Sequence, residues 1–265
     1  MPGSLDALTL VLATQRSGST LLCRDIESLG GLGGPREYFL DLVEHAQHES
    51  VSEVDVLERI ARGVTDSDPR IGAVKMMVGQ APVVDAAIRG GRQRGPLVAL
   101  PRIVEWAFER FERVFMVILV RNAMDQAISH VVASSTGIFH ATDVAEVQAA
   151  TAADLVPADL NPLILAQLRR FLVQRGVLTQ IGEEYADRAL MLSYDELTRR
   201  TEQTADRLIV HARTQGFMPR RTSITRTMMK VIDEDLSDRL RQSFLAYLST
   251  ETGLTDQQKL PPAIS

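Results

Sequence analysis

Residues Leu8 to Leu22 read LTLVLATQRSGSTLL. An apolar, β-branched run stops at Thr14, a short loop of small polar residues follows, and an apolar helical pattern begins at once with Leu21 and Leu22. The order strand, small-residue loop, helix start constrains this chain more than any other stretch. The first N–H groups of a helix have no intrahelical partner and point into such a loop. The helix dipole favours negative charge at the same place. The chain is therefore expected to hold a phosphate- or sulfate-bearing ligand just past its first strand.

The comparison that tests this is the nucleoside triphosphate loop, G-x-x-x-x-G-K-[ST]. The matching positions here are Ala13, Gly18, Ser19 and Thr20. The first Gly is Ala and the Lys is Ser, so a triphosphate loses the ammonium that normally reaches its β- and γ-phosphates. The positive charge stands inside the loop instead, on Arg16. A guanidinium there can grip a compact tetrahedral oxyanion through two parallel hydrogen bonds. Ser17, Ser19 and Thr20 add hydroxyl donors beside Gln15. The pattern suits a phosphate or phosphosulfate better than a triphosphate. The competing reading is a Ser/Gly turn with Ser17 as helix N-cap.

Four apolar runs read as strands: Leu8–Thr14, Ile71–Met76, Val114–Val120 and Ala189–Tyr194. Three are nearly continuous in apolar residues, as parallel strands covered on both faces require. Amphipathic helical stretches fall between them, at 20–29, 51–62, 103–111 and 122–133. The alternation argues for an α/β fold, a P-loop-like, mainly parallel sheet flanked by helices. No strand signal occurs in residues 137–188, which read as a helical insertion or lid with a long helix starting at Asn161-Pro162. Residues 1–254 are expected to form a single domain, and 255–265 a polar, proline-marked tail that frays. The stretch 90–101, GGRQRGPLVALP, reads as a basic loop suited either to acceptor contacts or to a solvated linker.

The net charge of −5 disfavours a general nucleic-acid binder, which carries a basic face. No apolar run reaches the length of a membrane span. The start lacks a basic leader, so a cytoplasmic location is expected. The lone Cys23 cannot form an internal disulfide and reads as a buried apolar residue rather than a nucleophile. His45 and His48 lack a clear third ligand, and no metal site is expected. Asp66, Asp68 and Asp235 read as solvated turn or helix-start carboxylates. Lys75 stands at the end of an apolar strand, where an ammonium needs an anion.

QRSGSTLL followed by GPREYF resembles the bacterial trehalose 2-sulfotransferase-like family. Four further segments match in order. GAVKMM, with Lys75, is similar to the family's Gly-Gly-Lys-Leu-Met strand. VILVR, ending at Arg121, with Gln126-Ala127-Ile128-Ser129, resembles its Tyr-Arg-Pro and Ser-Gln-Ala-Val-Ser segment. SYDEL at 193–197 resembles the Tyr-Glu-x-Leu element of sulfotransferases, and SITR at 223–226 the C-terminal Arg segment. The likeness spans about residues 8–245 and is most specific at its N-terminal block.

The resemblance implies a transferase that uses 3′-phosphoadenosine 5′-phosphosulfate (PAPS), without a metal, on a hydroxyl of a sugar or other small acceptor. It admits a homodimer. It implies that Gln15 to Thr20 hold the 5′-phosphosulfate, with Arg16 offsetting charge on the bridging oxygen and Lys75 at the sulfuryl group. It implies that Arg121 and Ser129 hold the 3′-phosphate; Arg226 is a candidate third contact, with its neighbours Arg220, Arg221 and Lys230 competing for that role. Glu37, in GGPREYF, matches the Glu proposed as general base, aimed by the Gly33-Gly34-Pro35 turn. Many sulfotransferases use His, which keeps His130 and His140 open as the base. Two other functions stay open: a P-loop-related kinase or nucleotide hydrolase, and a non-catalytic protein that binds the desulfated nucleotide.

Overall fold

The computed structural model describes residues 5–66, 68–138, 155–221, 224 and 234–251. The chain divides into two compact units, Met1–Asn122 with Phe171–Thr227 and Ala123–Arg170 with Met228–Ser265. Arg226, His140 and the tail 255–265 lie outside the described residues, as do residues 139–154 of the 137–188 region.

The first unit is built on four strands: β1 (Ala7–Ala13), β2 (Ile71–Met77), β3 (Arg113–Val120) and β4 (Ala189–Ser193). All pair in parallel, in the order β2-β1-β3-β4. The expected α/β class with a parallel sheet is what the chain adopts. β1 is buried at every position, so its run is apolar without alternation. Its one polar side chain, Thr9, donates to the Leu32 carbonyl at 2.6 Å, which removes the penalty of burying a hydroxyl.

Helices cover both faces. Leu8, Leu10 and Leu12 of β1 pack against α3 (Glu53–Ala61), α4 (Ala81–Arg89) and α5 (Pro96–Arg110), through Val56, Ile60, Val84, Leu100 and Val104. On the other face, Val11 and Ala13 meet Leu22, Ile26 and Leu29 of α1 (Ser19–Leu29), with Leu208 and Ile209 of α9 (Thr201–Thr214) in the same cluster. Each fully buried aliphatic side chain contributes roughly 1.5–3 kcal/mol. The short α2 (Leu40–His45) and α8 (Tyr194–Arg199) follow the site segment and β4 respectively.

The second unit contains α6 (Ala123–Thr136), the start of α7 (Pro157–Glu184) and α10 (Glu234–Glu251). Within it, Arg241 on α10 pairs with Asp125 on α6 at 2.5 Å. Asn161 on α7 donates to the Ser243 hydroxyl at 3.2 Å.

Three boundaries differ from the sequence reading. α5 begins at Pro96, so only Gly90–Gly95 of the expected 90–101 loop is a loop. Proline is preorganised for the first helical position, and the N–H groups of Val98 and Ala99 bond the Gly95 carbonyl. α6 continues through Ser134 and Ser135 to Thr136, whose hydroxyl bonds back to the Val132 carbonyl at 2.9 Å. α7 begins at Pro157, ahead of the expected start at Asn161-Pro162, because Pro157 suits the first helical position.

The order β2-β1-β3 places the chain's direction change at β1. Crevices that bind ligands in open parallel sheets lie at such a point, outside the carboxyl ends of the strands. The Gln15–Thr20 loop, Arg121 and Tyr194 all follow strand ends on that side.

Candidate active site

β1 turns into α1 through a loop with two left-handed residues, Arg16 at φ 60° and Gly18 at φ 88°. Gly18 is the N-cap of α1, in place of Ser17, and accepts from the Leu21 and Leu22 N–H groups. A side chain at position 18 would be strained by that φ. Its Cβ would also lie 2.6 Å from Cδ2 of Tyr194. Arg16 takes the left-handed conformation without glycine's freedom, at a cost of roughly 1–3 kcal/mol. Its carbonyl accepts from Arg121 Nη1 at 2.8 Å, a bond from a residue 105 positions later.

Ser17 is fully buried, and its Oγ has no hydrogen-bond partner. A buried hydroxyl left unpaired costs about 1–3 kcal/mol. Ser19 is also buried, while Gln15 is exposed. Burial first, and the neighbouring charge of Arg121 second, hold the Arg16 guanidinium below the usual arginine range, against the opposing pull of Tyr194. Arg121 itself lies over the Tyr194 ring, 4.1 Å from its centroid. An anion in this loop would meet two guanidinium groups and an unpaired hydroxyl.

A second cluster joins the loop. Lys75 sits inside β2, opposite Val11, rather than at the strand's end, and its side chain is only 8% exposed. An ammonium so buried needs a partner. It finds Glu37 Oε2 at 3.2 Å and donates to Thr20 Oγ1 at 3.3 Å. The other carboxylate oxygen of Glu37 accepts from the Gln80 amide at 3.1 Å. Gln80 is fixed in turn, because its oxygen accepts the Met77 N–H at 2.9 Å. The Gly33-Gly34-Pro35 turn brings Glu37 here: Gly34 N–H bonds the Gly63 carbonyl and Lys75 N–H bonds the Arg36 carbonyl, both at 2.8 Å.

The approach to that turn is anchored by Asp68. The sequence reading took it for a solvated carboxylate, but it is buried. It accepts from Gly31 N–H at 3.1 Å and the Thr65 hydroxyl at 3.2 Å, and pairs with Arg220 at 3.3 Å. Cys23 is buried, and burial above all pushes its thiol up to about 12, so the helix start does not activate it. Ser129 is buried on α6 and His130 lies beside it, within 3.4 Å of the Ser134 hydroxyl. His45 pairs with Glu49 at 3.2 Å.

The structure thus brings Arg16, Ser17, Arg121 and Tyr194 together, and joins Thr20, Lys75 and Glu37 with Gln80. Sequence reasoning missed Tyr194 and Gln80 as members. The signal for Tyr194 was its place right after β4, at the same sheet edge as Arg121. Gln80 carried no signal, because its role depends on the path of a segment 43 residues earlier.

The helix-opening loop, with two guanidinium groups near it, lies at the switch point of the parallel sheet, and a held carboxylate stands beside it. The family model described as Stf0 sulphotransferase matches residues 9–240, and the chain belongs to that family of sulfotransferases. No curated protein matches the chain. Among solved structures it is similar to a sulfotransferase from Alicyclobacillus acidocaldarius, at 13% identity and a TM-score of 0.46, covering 94% of this chain and 96% of that one. The sulfotransferase domain from the curacin biosynthetic pathway matches at 16% identity and a TM-score of 0.42, covering 94% and 99%. The sulfotransferase domain from the Synechococcus PCC 7002 olefin synthase matches at 17% and 0.39, covering 97% of each chain.

Proposed function

We propose that the chain moves a sulfuryl group from PAPS to a hydroxyl of a sugar or another small-molecule acceptor. The observation that carries this reading is the buried, unpartnered Ser17 hydroxyl in a helix-opening loop that also gathers Arg16 and Arg121. The donor, when bound, supplies an activated sulfuryl group on a phosphate leaving group. Ser17, Ser19, Thr20 and Arg16 hold the 5′-phosphosulfate, with Gln15 at the rim, and Arg121 holds the 3′-phosphate. These residues fit the donor because each offers a hydrogen-bond donor and two of them bring fixed positive charge.

Glu37 accepts the acceptor's hydroxyl proton as the acceptor oxygen forms its bond to sulfur. The bond from sulfur to the 5′-phosphate oxygen breaks, and its electron pair stays on that oxygen. Arg16 and Lys75 offset the negative charge that grows during this in-line transfer. Lys75 also ties the base to the loop through Thr20, which keeps the two halves of the reaction in register.

The test is incubation of the whole chain with PAPS and a panel of hydroxylated metabolites, read by mass spectrometry. The expected result is an acceptor heavier by one sulfuryl group, with an equal amount of adenosine 3′,5′-bisphosphate released. Binding of the bisphosphate with no transfer to any acceptor would make the chain a non-catalytic binder. Thermal stabilisation by ATP and Mg²⁺ with none from the bisphosphate would make it a kinase or nucleotide hydrolase.

A further inference from the structure

We propose that Gln80 is a positioning residue for the Glu37 carboxylate, setting the angle at which that group meets the acceptor hydroxyl. The inference rests on the reading of Glu37 as the base.

The edge of the sheet supplies the frame. β2 ends the sheet on one side, in the order β2-β1-β3-β4, so the N–H groups on its outer side have no strand to bond. Two of them, two residues apart, hold the Glu37 segment. Lys75 N–H bonds the Arg36 carbonyl at 2.8 Å, which fixes the backbone next to Glu37. Met77 N–H bonds Gln80 Oε1 at 2.9 Å, and Gln80 Nε2 donates to Glu37 Oε1 at 3.1 Å. One edge N–H thus holds the main chain, and the next holds the carboxylate through a single side chain. The short turn Val78–Gln80, between β2 and α4, brings that side chain back to the strand end.

The residue type follows from what position 80 must do. It accepts from a backbone N–H and donates to a carboxylate. A carboxylate side chain only accepts and an ammonium only donates, whereas a carboxamide does both. The Met77 N–H also settles which end of the amide faces Glu37: it takes the oxygen, so the nitrogen points at the carboxylate. Gln80 is buried, which keeps water from competing for either bond.

The torsion that turns a glutamate carboxylate is soft, with no single staggered well. One contact leaves the group free to swing, and two contacts on different oxygens stop it. Lys75 meets Oε2, but its ammonium also bonds Thr20 and, in the proposed transfer, serves the sulfuryl group. Gln80 grips the other oxygen and holds the angle while the ammonium is shared. The Glu37 side chain stays 28% exposed, which leaves the carboxylate open to an acceptor.

The test follows transfer from PAPS to the hydroxylated metabolite that scores in the acceptor panel, with calorimetry of adenosine 3′,5′-bisphosphate beside it, on the whole chain. Gln80→Met is similar in size but makes neither bond. It is expected to lower kcat about ten- to a hundredfold, the worth of one hydrogen bond to a charged group, with donor KM and bisphosphate affinity nearly unchanged. In a Glu37→Gln background, adding Gln80→Met changes kcat little further, because the group it aims is gone. Gln80→Glu keeps an acceptor for the Met77 N–H and loses the donor. It is expected to lose kcat as well, and it carries the test if the methionine variant does not fold. Wild-type kcat in either folded variant overturns the proposal. An equal loss of kcat with and without Glu37, or a matching loss of bisphosphate affinity, also overturns it, because Gln80 then only supports the fold. Full activity of Glu37→Gln alone, or no transfer by the wild-type chain, sinks the base reading and the proposal with it.

Discussion

The two halves of the site solve opposite electrostatic problems. Around Glu37, charge is matched: the carboxylate has an ammonium on one oxygen and an amide on the other, and the amide is itself held by the backbone. Around Ser17 a mismatch of another kind remains: a buried hydroxyl lacks a partner and Arg16 takes a left-handed backbone, while Arg121 bonds the same loop. The matched half is organised before any ligand arrives. The mismatched half stores a deficit that an anion would relieve. Binding energy is thus expected to come from the loop, and proton transfer from the cluster beside it.

Substitutions should separate these halves. Glu37→Gln keeps the size and the Gln80 neighbour but removes the proposed base. It should lower kcat by about 10²–10⁴-fold and leave bisphosphate affinity nearly unchanged in a titration. A large loss of affinity in that variant would merge the two halves and break the contrast. Gly18→Ala should act on the other half. The left-handed conformation alone costs about 1–2 kcal/mol for alanine, and the Tyr194 ring adds a clash. Thermal denaturation should show the lost stability, and bisphosphate binding should fall with it.

The contrast was only partly legible in the sequence. The loop could be read because strand, loop and helix start are contiguous, so local chemistry fixes them. The sheet could be read because strands buried on both faces are apolar without alternation. Glu37 entered through resemblance, and what holds it was not legible: Lys75 meets Thr20 across 55 positions and Gln80 meets Glu37 across 43. Those meetings follow from strand register and from a glycine turn, which no local pattern encodes. Asp68 was misread for the same reason, since Arg220, 152 residues later, and the Gly31 N–H are what bury it. The α5 boundary differs because a proline after glycine marks a loop in sequence, yet Pro96 opens the helix.

Ser17→Ala sharpens the mismatch with a smaller effect of opposite sign on two readouts. Removing an unpaired buried hydroxyl should raise the stability of the ligand-free chain by up to about 1 kcal/mol, since its desolvation penalty goes unpaid by any bond. The same change should weaken bisphosphate binding several-fold. A drop in both would show that the hydroxyl is satisfied in the free chain.

The smallest expected effect lies away from both halves and serves as a control on them. Burial holds His211 on α9 below the usual histidine range, with its ring 5.6 Å from that of Phe115. The folded chain therefore favours neutral His211, and unfolding lets it take up a proton. Its contribution is full above the unfolded value of about 6.5 and is lost as pH falls below that. Denaturant unfolding of His211→Gln should show a flatter stability curve between about pH 7 and 5 than the wild type. An unchanged slope would assign the acid sensitivity of the chain to other groups.

The central claim is that the loop after β1, with its unpartnered Ser17 hydroxyl, is the anion site for the sulfuryl donor, and calorimetric titration of adenosine 3′,5′-bisphosphate into the wild-type chain and Arg16→Met tests it most directly. Saturable one-site binding to the wild type, lost in Arg16→Met, is the predicted result. No heat with the wild-type chain, or equal affinity in the two proteins, would contradict it.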